Sequence, residues 1–425
     1  MMKERSMGKP GQVGLVIPNA VRTLGKPIAW RSRLARNDSG PEAPGANRTL
    51  LLCATFLLLL AWLPSALGKG IEDRLQTLMD EYDTVGLAVV VVRDNAVVYR
   101  NSLGWKDREA KIPLAQDDLF RIASISKSFS TTAVLQLVEQ GRLSLDADVG
   151  ELIGFPVRNP AFPERVITLG MLLDHTSSIT DPQRYGSLDV IDPTANPAWQ
   201  DSYAGRAPGE RYEYSNLGYN MVGTIVERVS GQRFDRYIAT HVLDPLGLQG
   251  GYEPDALDAR RFAQIYRWRD GEGFVRSDQA YAPLAARLAD YTMGYSAPMF
   301  SPTGGLKISA PDLAAWMLMH MNLGEWSGVR LIAAAHAEAM QTQSAVVDEH
   351  AGYGLAMRID RALIPGVEMV GHTGSAYGLY SSMFFDRARR FGFVVITNGT
   401  RDMQVRDEVN RALYEHFIAQ APAAE

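Results

Sequence analysis

Cysteine is all but missing from this chain: its 425 residues include one, Cys53, which falls inside an N-terminal apolar run. Everything after residue 68 is cysteine-free, which excludes disulfide scaffolds, thiol nucleophiles and cysteine-ligated metal centres there. Also missing is an apolar run long enough to cross a bilayer comfortably. Leu50 to Leu63 is about fourteen residues, against the ~20 that a spanning helix needs. Positive charge is scarce where most of the chain lies. Residues 1–68 carry nine Lys/Arg and three Asp/Glu, a net of +6, which leaves −11 for the remainder of a chain whose total is −5. So acidic a body excludes nucleic acid as a natural partner. No His-Glu-x-x-His and no P-loop pattern occurs, so no metal and no cofactor is implied. No Gly-x-Ser-x-Gly occurs either, which disfavours a hydrolase built on a nucleophile elbow.

What is present is ordinary for a soluble globular protein, with 46% hydrophobic and 21% charged residues. The length accommodates a large core and two structural lobes. The Leu50–Leu63 run follows a basic stretch (Arg31, Arg33, Arg36, Arg48) and ends in Ala66-Leu67-Gly68. That is the layout of a secretory signal peptide behind a long polar extension. Residues 1–68 are therefore predicted to be extension and signal. Residues 69–425 form a periplasmic or secreted domain, expected to be monomeric, with membrane contact only if the segment stays uncleaved as an anchor.

Along that domain the hydrophobic period changes. Val85 to Val92 is a β-branched run, followed by Arg93-Asp94-Asn95 and a second run from Ala96 to Tyr99, which predicts a hairpin. Helical periodicity governs Ser124–Gln140, Leu169–His175, Gly218–Ser230, Phe234–Val242 and Ala310–Met321. Strand patterns return at Val367–Gly371, Leu379–Phe385 and Phe391–Thr397, before a final amphipathic helix over about 402–418. The expectation is an α+β fold: one sheet made by both termini (about 71–116 and 340–420), flanked by helices, with a helical lobe (about 117–339) inserted. Two irregular stretches, 181–210 and 250–305, are candidate pocket walls.

Ser124-Ile125-Ser126-Lys127 opens the first of those helices. Residues three apart on a helix share a face. A serine hydroxyl needs a base beside it, and a lysine becomes one only when burial or nearby cations lower its pKa. The helix N-terminus adds a field favouring a developing oxyanion. The pattern points to acyl transfer through a serine ester. The alternative is an N-cap serine with an exposed lysine, and Ser6 with Lys9 repeats the spacing in the N-terminal tail.

A nucleophilic serine needs a proton relay and oxyanion donors. Tyr214-Ser215-Asn216 offers a phenol and an amide just before a helix, although Tyr99-Arg100-Asn101 repeats that spacing. His372-Thr373-Gly374-Ser375 closes a predicted strand, where a glycine permits close approach and the Ser375 N–H could join that of Ser124 around an oxyanion. His350-Ala351-Gly352 is a partial repeat, and His372 could equally be a core histidine.

With Ser-x-x-Lys heading a helix, Tyr-x-Asn preceding one and His-Thr-Gly at a strand end, in that order, the chain resembles the class C β-lactamase-like serine hydrolases, within the β-lactamase and penicillin-binding-protein superfamily. The blocks FRIASISKSFSTTAVLQLVEQGRLSLD, ITLGMLLDHTSSI, PGERYEYSNLGYNMVGTIVERVSGQRFDRYIATHVLDPLGL, SPTGGLKISAPDLAAWM and GHTGSAYGLYSSMFFD carry the likeness over about residues 71–420. The resemblance implies a β-lactamase/transpeptidase-like fold, an antiparallel sheet with flanking helices plus an all-helical lobe. It implies Ser124 as nucleophile, Lys127 as its base or proton shuttle and Tyr214 as general base. Asn216 would bind substrate and lysine, with His372, Thr373, Gly374 and Ser375 lining the opposite wall. The substrate class implied is a D-amino-acid peptide, a carboxylic ester or a β-lactam-like amide, cell-wall peptide included. A catalytically silent penicillin-binding sensor on the same fold is the alternative. Two departures stand out: His372 replaces the lysine of the β-lactamase Lys-Thr-Gly motif, and Ser177-Ser178 stands where Ser-Gly is usual. A mostly neutral imidazole attracts a carboxylate less than a lysine does, which favours a peptidase or esterase over a β-lactamase.

Overall fold

The computed structural model describes residues 70–181 and 185–419. The expected signal segment, Cys53 and the Ser6/Lys9 repeat lie outside them. Helix α1 (70–81) leads into the hairpin of β1 (Gly86–Arg93) and β2 (Ala96–Asp107). Arg93 pairs with Ala96 across a two-residue turn, and Asp94 and Asn95 both take positive φ, 52° and 64°. That conformation is the one Asx residues tolerate and right-twisted hairpins prefer.

Nine strands form one antiparallel sheet. Besides β1 and β2 they are β3 (Ile112–Pro113), β4 (Ala345–Asp348), β5 (Ala351–Tyr353), β6 (Arg358–Asp360), β7 (Met369–Ala376), β8 (Leu379–Asp386) and β9 (Phe391–Thr397), in the order β4-β5-β6-β7-β8-β9-β1-β2-β3. The two ends of the chain thus meet where β1 pairs β9, from Leu87↔Thr397 to Arg93↔Phe391. Strand β1 is buried on both faces, which is why its sequence is continuously apolar rather than alternating. Ala88, Val90 and Val92 join the larger core, while Leu87, Val89 and Val91 face a second one. The second core is roofed by α1 (Ile71, Leu75, Leu78) and by the C-terminal helix Gln404–Tyr414 (Val405, Val409, Leu413).

The inserted middle carries α2 (Ser126–Glu139), α3 (Asn216–Ser230) and α4 (Ala310–Met321). Helix α2 is buried nearly all round in its first ten residues, with Phe129 stacked on Trp316 at 3.9 Å between ring centroids. Where an all-helical insert was expected, short pairings also occur: Phe120–Arg121 and Gly250–Gly251 flank Lys307–Ile308, and Tyr266–Arg269 pairs with Gly273–Arg276. They are too short to impose a period on the sequence. Two strands run further than expected. Strand β2 continues to Asp107 with its residues half-exposed or exposed, and β7 continues through the His-Thr-Gly motif to Ala376, opposite Leu379. No helix among the described residues is long and apolar enough to cross a membrane.

Candidate active site

Ala123 takes a positive φ of 50° and starts a single 3₁₀ turn, Ala123–Ile125, that feeds directly into α2. Ser124 sits in that turn rather than in the α-helix proper. Strand β7 runs alongside. Its pairing with β6 stops at Arg358↔Gly371, so among the described residues the edge of His372–Ala376 facing away from β8 has no strand partner. Gly374 is required for the contact. A Cβ there would lie 2.3 Å from both the Ile122 carbonyl oxygen and the Ser381 Oγ, far inside van der Waals distance. Absence of a side chain is what lets the Ser124 turn press against the strand.

Lys127 is fully buried, and its Nζ lies 3.2 Å from Ser124 Oγ, 2.6 Å from Tyr214 OH, 3.0 Å from Asn216 Oδ1 and 3.1 Å from the Thr303 carbonyl oxygen. Tyr214 OH is 2.8 Å from Ser124 Oγ. Hydroxyl, amine and phenol thus close a triangle. Burial drives the Lys127 amine well below its ordinary pKa, opposed by the negative charge of Asp181. Burial also pushes the Tyr214 phenol well up. Both shifts favour the neutral forms. A neutral amine has two N–H groups and one lone pair. Asn216 Oδ1 and the Thr303 carbonyl can only accept, so they take the two N–H groups and leave the lone pair to the hydroxyls.

The amide of Asn216 is itself fixed. Asp181 accepts from the backbone N–H of Asn216 (2.6 Å) and Leu217 (2.9 Å) through Oδ1, and from Asn216 Nδ2 (2.7 Å) through Oδ2. This turns Asn216 Oδ1 toward Lys127 and Thr303 Oγ1, the latter 2.7 Å away. A carboxylate at the first turn of α3 also suits the helix dipole. In sequence, Asp181 is only the first residue of the irregular stretch 181–210. An acidic residue 35 positions from its target leaves no local signal.

His372 uses both ring nitrogens: Nδ1 meets the Thr373 carbonyl and Nε2 lies 2.9 Å from Tyr353 OH. A carbonyl cannot donate, so Nδ1 carries the proton and Nε2 accepts from the phenol. Burial, helped by the nearby Lys127, lowers the His372 pKa to about 3, so the imidazole is neutral at pH 7. His175 packs against Tyr214 (ring centroids 4.4 Å apart) and accepts the Ser215 N–H on Nδ1 (3.1 Å). Thr373 and Ser375 line the same cleft as Ser124, Tyr214, Asn216 and His372, a cavity of about 590 Å³. Its remaining wall includes Arg121, Tyr185, Arg267, Tyr353, Arg358 and Tyr377, of which Tyr185 and Arg267 come from the two irregular stretches expected to form pocket walls. The partial repeats diverge from this site: Tyr99 and Asn101 lie on β2, and His350 is exposed at the β4–β5 turn. Tyr353, three residues after His350, is the one that reaches the site, through His372.

A family model described as Beta-lactamase matches residues 71–416. The chain is 30% identical over 367 residues to Esterase EstB of Burkholderia gladioli, covering 78% of this chain and 91% of that protein. It is 28% identical over 340 residues to Penicillin-binding protein 4 of Amycolatopsis lactamdurans, covering 77% and 84%. Among solved structures, the D-alanine carboxypeptidase AmpC from Burkholderia cenocepacia shares the fold with a TM-score of 0.65 at 20% identity, over 83% of this chain and 99% of that one.

Proposed function

From the premise that the chain belongs to the Beta-lactamase family of serine hydrolases, we propose that it forms a covalent acyl-enzyme on Ser124 and hydrolyses a carboxylic ester or a D-amino-acid amide. The observation that carries this reading is the triangle of Ser124 Oγ, Lys127 Nζ and Tyr214 OH, all within 3.2 Å. Ser124 Oγ attacks the acyl carbon while its proton passes to the Lys127 lone pair, directly or through Tyr214. The N–H groups of Ser124 and Ser375 receive the oxyanion. The same proton then goes to the leaving alkoxide or amine. Water, deprotonated by the Tyr214/Lys127 pair, releases the acid and restores the serine. Asn216 holds the amine in place and presents its amide edge to substrate, with His372, Thr373 and Gly374 as the facing wall.

A neutral His372 supports ester or peptide substrates over β-lactams, since a fixed cation for the β-lactam carboxylate is absent at that position. The name of the esterase relative points the same way. Export is proposed from residues 31–68 alone, and N-terminal sequencing of the secreted protein would test cleavage after Gly68. For the chemistry, the purified protein is incubated with a fluorophosphonate and with a fluorescent penicillin, and the adduct is located by mass spectrometry. Labelling at Ser124 that is lost in Ser124→Ala, with turnover of nitrophenyl butyrate, is expected. Penicillin labelling without turnover of any ester or D-Ala-D-Ala peptide would point to a silent sensor, and no adduct at all would sink the proposal.

A further inference from the structure

A second cavity, of about 260 Å³, abuts the catalytic cleft and shares Arg121, Tyr185, Ser301 and Tyr377 with it. Its wall holds a buried amine that the chemistry above does not use. Lys307 is 3% exposed, and among the described residues its Nζ bonds only the Tyr252 carbonyl oxygen, at 2.6 Å. Arg121 and Arg287 complete a lining that, among the described residues, has three basic side chains and no carboxylate. Asp255, a carboxylate close enough to influence Lys307, is engaged by the N–H groups of Leu284 and Ala285. Asn220 is 1% exposed and lines this cavity, and among the described residues its buried Oδ1 has no hydrogen-bond partner. Its orientation is settled, because Nδ2 donates to the Tyr185 carbonyl at 2.8 Å, which can only accept. A buried orphan acceptor is costly unless something donates to it.

Helix α3 explains the arrangement. Asn216 and Asn220 are four residues apart, on one face, so one helix presents an amide to each of the two cavities. Where Asn216 serves the reacting end, Asn220 stands where the far end of an acyl chain would lie. We propose that this second cavity is the subsite for the substrate's acyl side chain and takes a chain ending in a carboxylate, held by Lys307 and Arg121. The inference rests on Ser124 being the acylated nucleophile. It adds that the preferred acyl donor is anionic at its distal end, as in an N-acylated amino acid or a dicarboxylic half-ester. Burial holds the empty-site Lys307 amine well below its ordinary pKa, and an arriving carboxylate supplies the counter-charge that offsets this desolvation.

The test compares nitrophenyl esters of neutral fatty acids with mono-nitrophenyl esters of dicarboxylic acids across a matched series of chain lengths. At one chain length kcat/KM should favour the anionic ester at least about tenfold, the effect of one well-placed charged hydrogen bond. Lys307→Met should remove that preference, read as the ratio of anionic-ester to neutral-ester kcat/KM within the same variant. Arg287→Gln, at the exposed mouth, should weaken it in a protein whose folding is not at issue. Isothermal titration of Ser124→Ala with the free dicarboxylate gives a second readout independent of turnover. Turnover of neutral esters with no anionic preference at any length would overturn the subsite while leaving the nucleophile assignment standing. So would a preference that survives Lys307→Met but disappears in Arg267→Gln, which would place the anion in the main cleft. Loss of all ester turnover in the wild-type protein would overturn the nucleophile reading instead.

Discussion

Asp181→Asn is an informative single change because it is nearly isosteric and breaks one selected contact. The two oxygens of Asp181 have separate tasks. Oδ1 receives the backbone N–H groups of Asn216 and Leu217 and the Ser215 hydroxyl, while Oδ2 alone receives Asn216 Nδ2. An asparagine keeps its remaining oxygen on the backbone donors, and its new NH₂ then faces the NH₂ of Asn216. Donor meets donor. Asn216 must either give up that bond or flip, and a flip turns its NH₂ toward the Lys127 amine and Thr303 Oγ1. Losing one charge-assisted hydrogen bond costs about 1.5–3 kcal/mol. Charged to the transition state, that is roughly a 10- to 150-fold fall in kcat/KM. The fold should lose little, because the helix-start bonds survive and the lost dipole term is about 0.3–1 kcal/mol. Removing the negative charge also makes the ammonium form of Lys127 less favourable, since Asp181 raises its pKa. The acidic limb of the kcat/KM profile should therefore move to lower pH. Initial rates with nitrophenyl butyrate across pH, together with thermal melts, measure both effects. A variant within about twofold of wild type, with its acidic limb unmoved, would refute the positioning role of Asp181.

Three further outcomes follow from the same geometry. Lys127→Ala should lower kcat by about 10²–10⁴, the range for loss of a general base, while circular dichroism remains native; an active variant would remove the amine from the reaction. Gly374→Ala places a methyl 2.3 Å from the Ile122 carbonyl, so it should cost roughly 3 kcal/mol or more, measured by urea denaturation. An Ala variant of wild-type stability would mean that the Ser124 turn does not press on β7. The third concerns acid. His175, His320 and His372 are buried with pKa values lowered by burial, the latter two to about 3, against 6.5 when unfolded. The unfolded chain therefore binds protons first as pH falls, so stability is full above 6.5 and declines below it. The loss is about 1 kcal/mol per histidine between pH 6.5 and 5.5. Lower down, Asp174, Glu227 and Asp312, whose pKa values burial raises, oppose the trend. Stability flat or rising on acidification from 6.5 to 5.5 would contradict this account.

Much of this molecule was legible in one dimension because the relevant physics is local. A β-branched run followed by Asp-Asn dictates a hairpin. A three-residue spacing puts Ser124 and Lys127 within reach whatever the rest of the chain does. The ordered set of Ser-x-x-Lys, Tyr-x-Asn and His-Thr-Gly was enough to identify the family. Sequence could not decide which charges survive. Lys127 and His372 are ordinary titratable residues on paper, and only enclosure by packed helices and sheet takes them out of water and shifts both toward their neutral forms. Asp181, Tyr353, Lys307 and Asn220 carry no local signal, because each matters through a partner or a cavity that chain folding alone brings to it. Position along the chain fixes which groups a segment offers, while their protonation state and partners are set by what surrounds them, and that is a property of three-dimensional packing.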